Sequence, residues 1–145
     1  RLKSSMYHRF HAPVDCRVDE ILYVSGDTWN VNPIALRRIE KLFCKNERAV
    51  VDLKTTGAAG ITLVPVAASL VASMKFHCLA EPLDLAYRGT QRIRCEATYR
   101  KGEEMGYFQN GSTILVFATA DHRLADGVAT GKTIRMGQPL LVRDS

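Results

Sequence analysis

A chain of 145 residues with 46% apolar and 24% charged side chains is long enough to bury a single core, and this balance excludes a disordered or low-complexity protein. Its formal charge of +5 is spread along the chain, which favours anionic partners such as an acidic lipid face and argues against nucleic acid as a partner. The four cysteines (Cys16, Cys44, Cys78, Cys95) form no CxxC pair, so a zinc ribbon or thiol redox motif is not expected, and no run reaches the ~20 apolar residues of a membrane-spanning helix.

Short apolar runs separated by turn residues dominate the chain. Residues 17–24 alternate as a strand, with Val18, Ile21 and Tyr23 against Asp19 and Glu20, before Ser25-Gly26-Asp27 turns the chain. Asn32 followed by Pro33 predicts a capped helix start, with Ile34, Leu36, Ile39, Leu42 and Phe43 as its apolar stripe. Residues 49–53 and 61–66 read as strands flanking a loop over 55–60. Further strands are expected over 70–77, 92–98, 105–109, 113–118 and 140–142. Two stretches, 101–106 and 131–140, carry glycines that mark tight turns where strands cross between sheets. The predicted fold is mainly β with one or two short helices, a compact barrel-sandwich-like β domain over residues 1–145.

Two segments can carry chemistry. Asn110-Gly111-Ser112-Thr113 precedes the strand 113–118, and Asn-Gly between alternating strands is a strong hairpin signal. The same Gly-Ser pair suits self-cleavage. A serine hydroxyl attacks the preceding carbonyl, the resulting ester breaks by β-elimination, and hydrolysis leaves a pyruvoyl group; glycine before the serine tolerates the strained backbone. The two readings are compatible. The second segment is Tyr7-His8-Arg9-Phe10-His11-Ala12-Pro13, which offers histidine bases. Pro13 disfavours a helix here, and on a strand His8 and His11 point to opposite sides. A bulge or loop is therefore required for both to reach one site. Lys75, beside Met74, invites comparison with the lysine of a biotin or lipoyl carrier, but it lies inside an expected strand and reads as solvent-facing. No set of metal ligands stands out.

In order, Tyr7-His8-Arg9-Phe10-His11-Ala12-Pro13-Val14, Gly26-Asp27-Thr28-Trp29-Asn30-Val31-Asn32-Pro33, Asn46-Glu47-Arg48, the 101–108 stretch, Gly111-Ser112-Thr113 and Met136-Gly137-Gln138-Pro139-Leu140 resemble the bacterial phosphatidylserine decarboxylase family over nearly the whole chain. The resemblance implies cleavage between Gly111 and Ser112, giving a β chain of 1–111 and an α chain of 112–145 whose Ser112 has become the covalent pyruvoyl cofactor. It makes His11 the base that serves the cleaving serine and His8 the handler of the proton that replaces carbon dioxide. It implies decarboxylation of phosphatidylserine to phosphatidylethanolamine, a homodimer, and a peripheral location on the cytoplasmic side of the bacterial inner membrane. Membrane contact would come through a segment N-terminal to residue 1, where the family also carries the aspartate that orients the cleavage histidine. Asn110 departs from the leucine of the best-known members. Two alternatives stand beside this reading: a soluble amino-acid decarboxylase of the same fold, and a non-catalytic barrel acting as a binding or carrier module.

Overall fold

The computed structural model describes residues 1–3, 5–56, 60–68 and 73–144, so the expected loop 55–60 and strand 70–77 fall partly outside the described residues. Among the described residues lie eleven strands and two short helices. A five-stranded antiparallel sheet runs in the order β7 (Arg92–Tyr99), β2 (Cys16–Val24), β3 (Arg48–Leu53), β4 (Ile61–Ala67) and β9 (Ser112–Ala118). A four-stranded antiparallel sheet follows the order β1 (Arg9–His11), β8 (Glu104–Phe108), β5 (Ser73–Phe76) and β6 (Leu83–Asp84). Neither sheet closes on itself, so the fold is a mainly β sandwich.

The inward residues of both sheets share one core. Val18, Ile21, Val51 and Leu63 from the larger sheet pack with Phe10, Met74, Phe76 and Met105 from the smaller, all of them almost wholly removed from water. Along β2 every second side chain is buried on either side of a register shift between Val18 and Glu20, which lets Val18 and Ile21 face the same core. Phe10 meets Phe76 edge-on at 5.2 Å between ring centroids. Gly106 makes this approach of β8 possible: a Cβ there would stand 2.1 Å from the Lys75 carbonyl oxygen and 2.7 Å from the Phe10 ring.

The chain passes between the sheets repeatedly. One crossing is the turn at Lys101-Gly102, between β7 and β8, where Gly102 takes φ +85°. That matches the role expected of its glycine. Another crossing is Gln109-Asn110-Gly111. β8 pairs with β1 and β5, whereas β9 pairs with β4. The Asn-Gly pair therefore carries the chain from one sheet to the other and does not close a two-stranded hairpin.

The predicted helix starts where expected, with Asn32 Oδ1 accepting from the Ala35 N–H at 2.8 Å and Pro33 in the first turn. It does not run on as one element. Helix α1 (Pro33–Arg38) stops, Lys41 adopts a left-handed φ of 54°, and α2 (Leu42–Lys45) follows. The expected apolar stripe consequently splits. Leu42 is buried with Val31 and Ala68, with Ile39 and Phe43 packed against them, while Ile34 and Leu36 face outward.

A small hairpin of β10 (His122–Leu124) and β11 (Leu141–Arg143) follows β9. Asp121 fastens it by accepting from Thr119, from His122 at 3.0 Å and from Arg143 at 2.8 Å. These contacts, the Thr119 hydroxyl foremost, hold the Asp121 carboxyl down at about 2 against an ordinary 3.8. A depressed carboxylate stabilises the fold above its ordinary value, and the contribution is lost as pH falls through the depressed one. Amide exchange at residues 122–124 and 141–143 should therefore accelerate as pH is lowered from about 4 to about 2, after correction for intrinsic rates. Asp121→Asn should abolish that dependence, and an unaltered pH profile in the variant would refute the linkage.

Candidate active site

Ser112 opens β9 and is fully buried, and its Oγ has no hydrogen-bond partner. A buried hydroxyl without a partner costs ~1–3 kcal/mol, and the adjacent Thr113 hydroxyl shares that state, so what sets Ser112 apart is its place directly after the Gly111 carbonyl. Its backbone is held from both sides. Ala67 of β4 is its register partner, and Leu2 gives and receives backbone bonds with it at 2.8 and 3.3 Å. Nothing in the first three residues signalled that pairing in the sequence. Gly111, at the sheet crossing, supplies the carbonyl that precedes Ser112.

His8 lies just before β1, and its carbonyl accepts from the Phe108 N–H at 2.9 Å, at the end of β8 from which the chain crosses to Ser112. Its Nδ1 is 2.6 Å from the Met6 carbonyl oxygen. A carbonyl only accepts, so Nδ1 carries the proton and Nε2 of the neutral ring is left as an acceptor. That Nε2 is buried and unpartnered, as Ser112 Oγ is. The described residues thus hold an orphaned acceptor and an orphaned donor toward the same end of β8.

His11 pairs with Glu104 at the opposite end of β8, about 13 Å further along the strand at ~3.3 Å per residue. The register slips between Phe10 and His11, but this irregularity does not bring the two histidines to one site. Both nitrogens of His11 are engaged: Nδ1 donates to the Gly102 carbonyl at 2.8 Å, and Nε2 accepts from the Tyr7 hydroxyl at 2.7 Å. The adjoining strand end is pinned by Glu104, which accepts from Arg9 at 2.6 Å and from His77 at 2.7 Å. The His77 bond chiefly, with Arg9 assisting, lowers the Glu104 carboxyl below its ordinary range.

Two residues that local sequence reasoning did not single out support the site. Asn46, at zero exposure, accepts from the Trp29 N–H at 3.0 Å and donates to the Trp29 and Ala67 carbonyls at 2.7 and 3.1 Å. Because Ala67 is the strand partner of Ser112, this amide ties the 26–31 loop to the site. The neighbouring Glu47 is also buried and accepts from the Tyr23 hydroxyl. The available signal was a polar pair wedged between the apolar segments 42–43 and 49–53. Lys75 is in β5, where its ammonium donates to the Leu79 and Ala80 carbonyls at 3.0 and 2.6 Å, unlike a carrier lysine free at a hairpin tip.

A family model described as phosphatidylserine decarboxylase matches residues 1–142. The chain belongs to this family. It is 31% identical over 140 residues to the phosphatidylserine decarboxylase proenzyme of Brevibacillus brevis, covering 94% of this chain and 50% of that protein. It is 35% identical over 145 residues to the Shewanella frigidimarina proenzyme, covering 92% of this chain and 49% of that protein. The Nitrosospira multiformis proenzyme is also 35% identical, over 144 residues, covering 94% of this chain and 50% of that protein. The chain therefore spans about half the length of these phosphatidylserine decarboxylase relatives.

Proposed function

We propose that this chain is a self-processing phosphatidylserine decarboxylase domain, cut between Gly111 and Ser112 into a β chain of 1–111 and an α chain of 112–145. The observation that carries the reading is the buried, unpartnered Ser112 hydroxyl directly after the Gly111 carbonyl. Ser112 Oγ attacks that carbonyl carbon and gives up its proton to a histidine; the Gly111–Ser112 C–N bond breaks and an ester replaces it. Loss of the Ser112 α-proton then expels the Gly111 carboxylate, and water converts the remaining residue to a pyruvoyl group with release of ammonia. The site fits that group, since the hydroxyl it consumes has no structural bond to lose. A pyruvoyl carbonyl supplies an electron sink for the pair left behind by carbon dioxide.

The family resemblance gives the cleavage step to His11, whose Gly102 bond keeps the ring in the tautomer a base needs. Its Nε2 rests on Tyr7 at the far end of β8, so reaching Ser112 requires the 7–11 segment to move. His8, whose free Nε2 lies toward the Ser112 end of β8, holds and returns the proton that takes the place of carbon dioxide. The apolar groove of about 340 Å³ along β9 supports a lipid over a free amino acid. Ile114, Val116 and Phe117 line it together with Leu124 and Leu141, beginning two residues from Ser112. No helix among the described residues is long and apolar enough to cross a membrane. We place the domain peripherally, on the cytoplasmic face of the bacterial inner membrane, as a homodimer like that implied for the family.

Carbon dioxide release from phosphatidylserine, measured beside free serine and other amino acids, tests the assignment. Release from the lipid alone is expected, with hydroxylamine abolishing it by capturing the pyruvoyl carbonyl. Release from a free amino acid alone would assign the soluble activity. His8→Ala should leave a cut but inactive protein and His11→Ala an uncut one, and identical behaviour of the two would overturn the division of roles.

A further inference from the structure

The surface over residues 29–45 joins exposed apolar side chains to basic ones carried by two short helices. Trp29, Ile34 and Leu36 are exposed at 49%, 55% and 36%. Arg37 and Arg38 close α1, and Lys41 and Lys45 flank and end α2. Glu40 is the sole acidic residue between positions 29 and 46, so four basic residues against one acidic residue give this stretch a net +3 of the chain's +5. Lys41 lies 4.0 Å from Glu40, and the Trp29 indole donates to Asp27 at 3.0 Å. The cations remain in excess, and apolar side chains beside an excess of cations form the pattern by which amphipathic surfaces engage anionic lipid.

The fold places this face beside Ser112 by two routes. Asn46 clamps the Trp29 backbone to Ala67, the strand partner of Ser112. On the other side, the Arg1 guanidinium donates to the Val31 carbonyl at 3.3 Å, and the next residue, Leu2, is bridged to Ser112. Whatever docks on the 29–45 face is held next to the serine.

We propose that this face docks on an anionic phospholipid bilayer. Trp29 and Ile34 enter the headgroup boundary, the four cations meet lipid phosphates, and the Ser112 end of the domain is turned toward the headgroups. The consequence for catalysis rests on the lipid-substrate reading, but the docking itself is measured without turnover.

Trp29 is the chain's single tryptophan and so reports on the face directly. The full chain carrying Ser112→Ala is titrated with vesicles of phosphatidylcholine alone, and with vesicles that also contain phosphatidylglycerol, an anionic lipid outside the proposed reaction. A blue shift of Trp29 emission, quenching by brominated lipid and co-sedimentation are expected with the anionic vesicles only. All three should weaken as salt shortens the screening length from ~10 Å at 0.1 M to ~3 Å at 1 M. Reversing both charges with Arg37→Glu and Arg38→Glu should weaken partitioning roughly 30-fold or more. Lys41→Gln with Lys45→Gln, on the second helix, should also weaken it, and provides the reading if the arginine pair does not fold. Unchanged Trp29 emission with anionic vesicles would overturn the proposal. So would a blue shift that follows protein concentration without vesicles, which would give the face to a second copy of the chain. In the wild-type protein, vesicle binding without phosphatidylserine decarboxylation would leave docking standing and remove the substrate reading; decarboxylation without vesicle binding would do the reverse.

Discussion

Replacing Ser112 with alanine should leave one uncut chain with no decarboxylase activity and a fold at least as stable as that of the uncut chain with Ser112 intact. These two outcomes have different causes. Cleavage needs an oxygen that can reach the Gly111 carbonyl, and alanine has none, so the loss is complete and not graded. Stability responds to the environment, where the serine hydroxyl is buried and unpartnered. Removing an unsatisfied buried hydroxyl is neutral or worth ~1 kcal/mol, while the methyl group of alanine occupies the space of the lost CH₂. Intact mass of the full-length protein reads the first effect and a thermal melt reads the second. A cut Ser112→Ala chain would end the pyruvoyl reading, and so would a wild type that is active while wholly uncut. A melting temperature well below that of an uncut chain that keeps Ser112, such as His11→Ala, would show that the hydroxyl has a structural bond after all.

The stability side of that prediction was not legible in the sequence. Asn110-Gly111 reads locally as a hairpin because the apolar runs on either side look like partners. Strand pairing is decided over longer distances: β9 takes β4 and β8 takes β1 and β5, so the pair spans two sheets. Ser112 is then covered by Leu2, more than a hundred residues away, and no local pattern encodes that bridge. The histidine segment was more readable. A register slip does fall between Phe10 and His11, but it does not bring both rings to one site as the spacing argument asked. What spacing could not show is that the two rings sit toward opposite ends of β8. The helix near residue 33 was legible in its cap and not in its length. Its cap is a local hydrogen bond, whereas the break at Lys41 follows from packing Leu42 under Val31 and Ala68. The alternating strands read best, since the period of two is written in pairs such as Cys16 and Val18 or Ile21 and Tyr23; the step of three between Val18 and Ile21 is taken up by the register shift there.

Asn46 links the legible and illegible parts of the site, and its removal carries the second large effect. Asn46→Ala deletes one acceptor and two donors from a position with no solvent exposure. The Trp29 backbone groups can regain water if the 26–31 loop lifts. The Ala67 carbonyl, on a buried strand, has less freedom. Unsatisfied buried groups cost ~1–3 kcal/mol each and the vacated volume adds to this, so a loss of roughly 3–5 kcal/mol is expected. Against a typical total of ~5–15 kcal/mol, that should lower the melting temperature by on the order of 10 °C. Asn46→Asp separates hydrogen bonding from shape. It keeps the size and the acceptor toward the Trp29 N–H, but it turns a carboxylate against the Trp29 and Ala67 carbonyls, so it should melt no higher than the alanine variant. Melting within a few degrees of wild type in both would show that the clamp contributes little. Where the variants stay folded, the ladder beside Ser112 loses its outer brace, and self-cleavage should slow even though every reacting atom remains. A cleavage rate equal to wild type in a destabilised variant would confine Asn46 to holding the 26–31 loop and free Ser112 from its influence.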